Sequence, residues 1–151
     1  MSFPLKALGD ITINKDGQRI PLNQSERDAK RGEGRYPYIG ANNVVDRIDE
    51  YLFDEEILCV AEDGGSWGPN DICALLYNEK CWVNNHAHVL TAKEGTDLRY
   101  LCYYLNHADL NALINGTTRG KLKKSVLNPI QVPPPLPTQR HIAAVLDKAQ
   151  A

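Results

Sequence analysis

No apolar run in this 151-residue chain approaches the roughly 18 residues that a bilayer-spanning helix needs. Its first residues, MSFPLKALGDITINKDG, turn polar before any apolar stretch long enough for a secretory leader. No membrane contact is expected, and the cytoplasm is the expected compartment. Cysteine is scarce and scattered. Cys59, Cys73, Cys81 and Cys102 are never closer than eight positions, so no CxxC pair exists. That spacing argues against a zinc knuckle, and buried thiols in a reducing compartment account for it better. His86 and His88 would share one face of a strand, but with Cys81 they make a poor ligand set, and no metal is expected.

Catalytic signatures are missing too. There is no GxSxG elbow, no Walker A loop, and no GxGxxG opening a helix after a strand. Asn128-Pro129-Ile130 lacks the second proline and the aromatic of the Asn-Pro-Pro-aromatic motif of amino-methyltransferases, and no glycine loop for S-adenosylmethionine accompanies it. Asp71 with Glu79-Lys80 lacks the Glu-x-Lys spacing of the common nuclease core. A small enzyme with an unfamiliar centre around Glu62, Asp63, His86 and His88 stays open as a competing reading.

What is present is a polarised charge pattern. The 42% hydrophobic and 24% charged fractions fit one globular domain. Residues 110–146 carry five Lys/Arg and no Asp or Glu, with Arg119, Lys121, Lys123 and Lys124 inside six positions. Residues 1–109 carry eleven Lys/Arg against eighteen Asp/Glu, a balance of −7. Such a chain can offer a cationic patch to a polyanion while its net charge stays at −2. A solvated basic turn beside a helix would show the same pattern.

Periodicity places the elements. Ile11 and Ile13 alternate as in a strand, residues 15–34 read as a long exposed loop, and Pro37 makes residues 36–40 an edge strand or a strand entry. Residues 57–61, 72–77 and 87–91 are short apolar runs bounded by turn residues. Residues 97–114 form the first clear helix, capped by Thr96 or Asp97 and closed by Gly116. A short helical turn within 121–127, a strand at 130–132, and a helix capped by Thr138 follow. Strands mostly precede helices, which favours α+β: a small twisted, mostly antiparallel sheet or barrel-like core with packed helices.

Binding chemistry gathers in the turns. Gly64, Gly65 and Gly68 allow close backbone approach, Ser66 lies between them, and Trp67 looks exposed with a planar face to offer. Asn42 and Asn43, and Asn84, Asn85 and His86, supply groups able to reach base edges, or serve simply as turn residues. Thr117, Thr118 and Ser125 can donate to phosphates that Arg119, Lys121, Lys123 and Lys124 neutralise. Tyr100, Tyr103 and Tyr104 are expected to pack on their helix.

Seven marks in order resemble a family. Leu8-Gly9-Asp10, Tyr36-Pro37-Tyr38-Ile39-Gly40-Ala41-Asn42-Asn43-Val44 and the hairpin FDEEILCVAEDGGSWG from Phe53 come first. Val83-Asn84-Asn85-His86-Ala87-His88-Val89, the helix Tyr100-Leu101-Cys102-Tyr103-Tyr104-Leu105, Gly116-Thr117-Thr118-Arg119 with Leu122, and the stretch 130–148 complete them. Together they are similar to a target recognition domain of the specificity subunit of type I restriction–modification enzymes.

The resemblance implies sequence-specific recognition of one half of a bipartite double-stranded DNA site, with no chemistry of its own and no bound cofactor. Modification (methyltransferase) subunits would bring S-adenosylmethionine, and the restriction subunit would bring ATP-driven cleavage. The recognition domain would span 1–137, and 138–151 would begin a spacer helix with Ile142, Val145, Leu146 and Ala149 toward a partner or a second copy in a homodimer. The resemblance leaves a second reading beside it: an adaptor that docks the methyltransferase through that helix and binds DNA weakly.

Overall fold

The computed structural model describes residues 5–114 and 120–133. In chain order the elements are β1 (Lys6–Ala7), α1 (Leu8–Ile11), β2 (Thr12–Asn14), α2 (Gln24–Lys30), β3 (Tyr36–Ile39), β4 (Val44–Ile48), β5 (Ile57–Ala61), β6 (Ala74–Tyr77), β7 (Trp82–Val83), β8 (Ala87–Ala92), α3 (Leu98–His107), α4 (Lys124–Leu127) and β9 (Gln131–Val132). Short 3-10 turns lie at Asp16–Gln18 and Asn111–Leu113. The expected helix end at Gly116, the helix from Thr138 and its 137/138 boundary lie outside the described residues.

The fold is α+β. An antiparallel sheet in the order β2-β8-β5-β6 forms its centre, a second sheet runs β4-β3-β7, and β1 pairs with β9. β5 is buried at every position because both of its faces are covered. Leu58 and Val60 pack with Leu98, Leu101 and Leu105 of α3. Ile57 and Cys59 pack with Ile39 and Val83 of the second sheet and with Phe53, which bridges to Cys81. Each such aliphatic contributes about 1.5–3 kcal/mol by leaving water. A strand covered twice must read as the unbroken apolar run seen in the sequence.

β3 lies in the middle of its sheet rather than at an edge. The parallel partner β7 reaches only Tyr38 and Ile39, so Pro37 sits at the strand entry, paired with Arg47 of β4 alone. Proline's missing donor is tolerated there.

Residues 15–34 are not one loop. They hold the 3-10 turn at Asp16 and α2, which opens with a capping box: Asn23 Oδ1 accepts the Glu26 amide at 2.8 Å, and Glu26 Oε1 accepts the Asn23 amide at 3.0 Å. α2 buries none of its residues and is held by polar contacts, Arg27 and Arg31 both reaching Asp46 of β4. A helix without an apolar stripe is invisible to periodicity.

The helix expected over 97–114 stops at His107. Asp97 caps it as expected, accepting the Arg99 amide at 2.9 Å. The next i,i+4 pair, Asn106 O and Leu110 N, is diverted outward. Asn70 N donates to the Asn106 carbonyl at 2.9 Å, and Leu110 N donates to the Trp67 carbonyl at 3.0 Å. Tertiary bonds from the β5–β6 connection thus replace the next helical turn. Tyr100 is buried on α3, and the Tyr104 hydroxyl donates to the Gln131 carbonyl at 2.9 Å, so these rings pack as expected. Among the described residues no helix is long and apolar enough to cross a membrane.

Candidate nucleic-acid interface

Three turns meet at one end of the sheets. The β3–β4 turn is closed by the Gly40 amide donating to the Asn43 carbonyl at 2.8 Å. A side chain at Gly40 would meet Val45 Cγ1 at 2.8 Å, which explains the glycine. The β5–β6 connection carries Gly64 at φ +70°, the left-handed region that glycine enters freely. The β7–β8 turn is an Asx turn, with Asn84 Oδ1 accepting the His86 amide at 2.7 Å. Asn42 Nδ2 reaches across to the Ile72 carbonyl at 3.3 Å, tying the first turn to the second. Gly40, Ala41, Val45, Asp63, Gly64, Asn84 and His86 line an open cavity of about 260 Å³ between all three.

The structure therefore brings Asn42, Asn43, Gly64, Gly65, Ser66, Asn85 and His86 to one end of the fold. Asn43, Gly64, Ser66 and Asn85 are exposed. Asn84 is buried and spends its side chain on the turn.

Trp67 departs from its expected role. It is 4% exposed, and its indole Nε1 donates to the Ala61 carbonyl at 3.1 Å. Gly120 makes room for the ring, since a Cβ there would stand only 2.9 Å from Trp67 Cζ3, while a Cβ on Gly65 would meet Ala61 Cβ at 2.6 Å. The segment folds back over the core and presents no aromatic face.

The basic segment joins the same end. Lys121 forms a β-bridge with Asp63, and the Leu122 amide donates to the Glu62 carbonyl at 2.6 Å. The Glu62 amide in turn donates to the His86 carbonyl at 2.8 Å. One peptide beyond β5 thus carries the histidine turn on one side and the basic segment on the other. Lys121, Lys123 and Lys124 are exposed, the last opening α4. Thr117, Thr118 and Arg119 lie outside the described residues, as do Ile142, Val145, Leu146 and Ala149. His86 Nδ1 lies 2.5 Å from Asp63 Oδ1, so one carboxylate fixes the ring's orientation.

Below this surface lies a largely buried polar group, in which sequence reasoning named Glu62 and His88 but missed Asp16 and Arg19. Asp16, Glu62 and His88 place ligand-type atoms within 4.8 Å of one another. Arg19 sits among them, 3.3 Å from Glu62 and 3.9 Å from Asp16, where its guanidinium supplies the positive charge a cation would bring. Burial pushes the Asp16 carboxyl up, but hydrogen bonds from His88 and the Val89 amide, with the charges of His88 and Arg19, outweigh it and leave it below its ordinary value. His88 is wholly enclosed, while His86 is about half exposed, so the two histidines serve different ends. One signal could have found Asp16: a histidine inside an apolar strand needs a buried partner. Cys81 belongs instead to the second core cluster with Cys59. Burial pushes the thiols of Cys73 and Cys81 up to about 12 and that of Cys102 to about 11.

Comparison with known proteins decides the family. A family model for the type I restriction modification DNA specificity domain matches residues 2–151. This chain belongs to that family. A protein of Haemophilus influenzae named as a type I restriction enzyme specificity subunit is 34% identical over 147 residues, covering 97% of this chain and 37% of the relative. The fold is shared with the S subunit of a type I restriction–modification system from M. genitalium, at TM-score 0.72 and 17% identity, over 97% of this chain and 38% of that one. It is also shared with the HsdS subunit of Thermoanaerobacter tengcongensis, at TM-score 0.61 and 18% identity, over 97% and 37%. A third structure, described as concerning complex assembly and conformational transition of the type I R-M system, matches at TM-score 0.69 and 17% identity, over 99% and 40%. This chain thus spans about two-fifths of the length of these relatives.

Proposed function

We propose that this specificity domain reads one half of a bipartite double-stranded DNA site. The observation that carries the reading is the convergence of three turns with the basic segment. Asn42, Asn43, Asn85 and His86 offer the donors and acceptors that base edges accept, and Lys121, Lys123 and Lys124 stand where a phosphate backbone would run. Phosphate contacts supply affinity and position, and the turn side chains supply sequence preference.

The domain performs no catalysis in this reading. Modification and restriction subunits act on the DNA it selects, and S-adenosylmethionine, ATP and magnesium are bound by those subunits. The family match and the assembly described for the third structural relative support these partners. Residues 138–151 lead toward them, with Ile142, Val145, Leu146 and Ala149 as the docking stripe, or toward a second copy of the chain. Cellular placement follows the DNA, in the cytoplasm.

The test is selection from a random duplex library by the full chain, followed by titration of the selected and a scrambled duplex at several salt concentrations. Enrichment of a short motif, and affinity falling steeply with salt, are expected. Absence of both would leave the protein-docking role, read out by co-purification with the methyltransferase.

A further inference from the structure

Leu122 is the point at which the basic segment is fixed to the fold. Its amide donates to the Glu62 carbonyl at 2.6 Å, and its own carbonyl lies 2.6 Å from His88 Nε2. His88 Nδ1 lies 2.8 Å from Asp16 Oδ2. Nε2 faces a carbonyl, which only an N–H there can satisfy, and Nδ1 faces the Asp16 carboxyl. The ring cannot turn without leaving a buried acceptor bare, because His88 is 0% exposed and Asp16 is itself held. Asp16 Oδ1 accepts the Val89 amide at 2.8 Å, and Arg19 donates to the Asp16 carbonyl at 2.9 Å, to the Ala87 carbonyl at 2.9 Å and to the Glu62 carboxylate at 3.3 Å. The network thus ties β8, the 3-10 turn and the end of β5 to one residue of the basic segment.

We infer that His88 is a positioning residue for DNA binding, a buried clamp that sets where Lys121, Lys123 and Lys124 stand relative to the hairpin tips. The use assigned to the clamp rests on the DNA reading, but the clamp itself is measurable without DNA. A lysine side chain is long and flexible, so what the fold can fix is the backbone from which it reaches. His88 controls that placement from inside the core and touches no ligand.

The experiment compares the full-length chain with His88→Leu and His88→Gln, whose amide can still donate to the Leu122 carbonyl. In the free protein, His88→Leu is expected to speed Leu122 amide exchange and tryptic cleavage after Lys121, Lys123 and Lys124 by about ten- to hundredfold. His88→Gln is expected to restore most of the protection. The wild-type ring is expected to show its Nε2 nitrogen-15 resonance at the N–H position. With duplex DNA, His88→Leu should lower the salt slope, and His88→Gln should recover it. Unchanged Leu122 exchange in folded His88→Leu would overturn the clamp, as would a wild-type ring with a bare Nε2, a reading that needs no variant to fold. An unchanged salt slope alongside faster exchange would overturn its role in DNA binding. Wild-type protein with no salt-dependent duplex binding would instead sink the DNA reading, leaving the free-protein readings to decide the clamp.

Discussion

The side chain of Asn106 holds both backbone groups of Ala74: its Oδ1 accepts the Ala74 amide at 2.8 Å, and its Nδ2 donates to the Ala74 carbonyl at 2.9 Å. The same Oδ1 accepts the Cys73 amide at 2.9 Å. A helix residue thereby acts as a miniature neighbouring strand for the start of β6, which edges the central sheet. Asn106→Ala leaves the Cys73 and Ala74 amides without partners and the Ala74 carbonyl with only the Cys102 thiol at 3.4 Å, and should cost roughly 2–4 kcal/mol in denaturant unfolding. Asn106→Asp should fail as well, since a carboxylate cannot donate to Ala74. A loss below about 0.5 kcal/mol for both would show that water replaces the amide.

Trp67 should matter to stability and not to recognition. Trp67→Ala is expected to cost about 3–5 kcal/mol from lost packing, and Trp67→Phe about 1–3 kcal/mol because the Ala61 carbonyl loses its donor. Duplex affinity of the Phe variant, measured below its unfolding transition, should match wild type. Loss of affinity in a fully folded Trp67→Phe would return the indole to the interface.

Lys121, Lys123 and Lys124 should behave as phosphate contacts. Alanine at each should weaken binding to specific and scrambled duplex alike and reduce the salt slope by about one unit. Three variants with the parent slope would remove the segment from the interface.

Base readout should fall on the turns. Asn43→Ala and His86→Ala are each expected to cost roughly 1–3 kcal/mol on the selected duplex and to relax preference at one position. Asn42→Ala should add a small stability loss through its bond to the Ile72 carbonyl. Equal losses on selected and scrambled duplex would make these residues positional only.

The acid limb of stability should depend on Asp16. Its carboxyl is held below the ordinary value of about 3.9, so it contributes stability that is present above that value and lost as pH falls through the lower folded one. Asp16→Asn should therefore be less stable at neutral pH yet lose less on acidification. Parallel pH profiles for the two proteins would contradict this.

Much of the fold was legible because β5 and the first three turns of α3 obey simple apolar patterns. The three converging turns were marked in the sequence too, since Asn, Gly and His there are poor packing residues. What escaped was decided by long-range polar contact. α2 has no apolar stripe, α3 ends because Asn106 and Leu110 find partners on a distant connection, and Asp16 finds its buried partner in His88, 72 positions away. Trp67 misled for a related reason: a glycine-rich tip reads as exposed, yet here the indole bonds back to the Ala61 carbonyl and the distant Gly120 leaves room for the ring.

β1 and β9 run side by side, Lys6 opposite Val132 and Ala7 opposite Gln131. The polypeptide therefore enters and leaves the domain through neighbouring strands, about 4.8 Å apart. A unit with adjoining doorways can be exchanged for another of its kind without disturbing the spacing of whatever it is joined to, because only two nearby junctions must be matched.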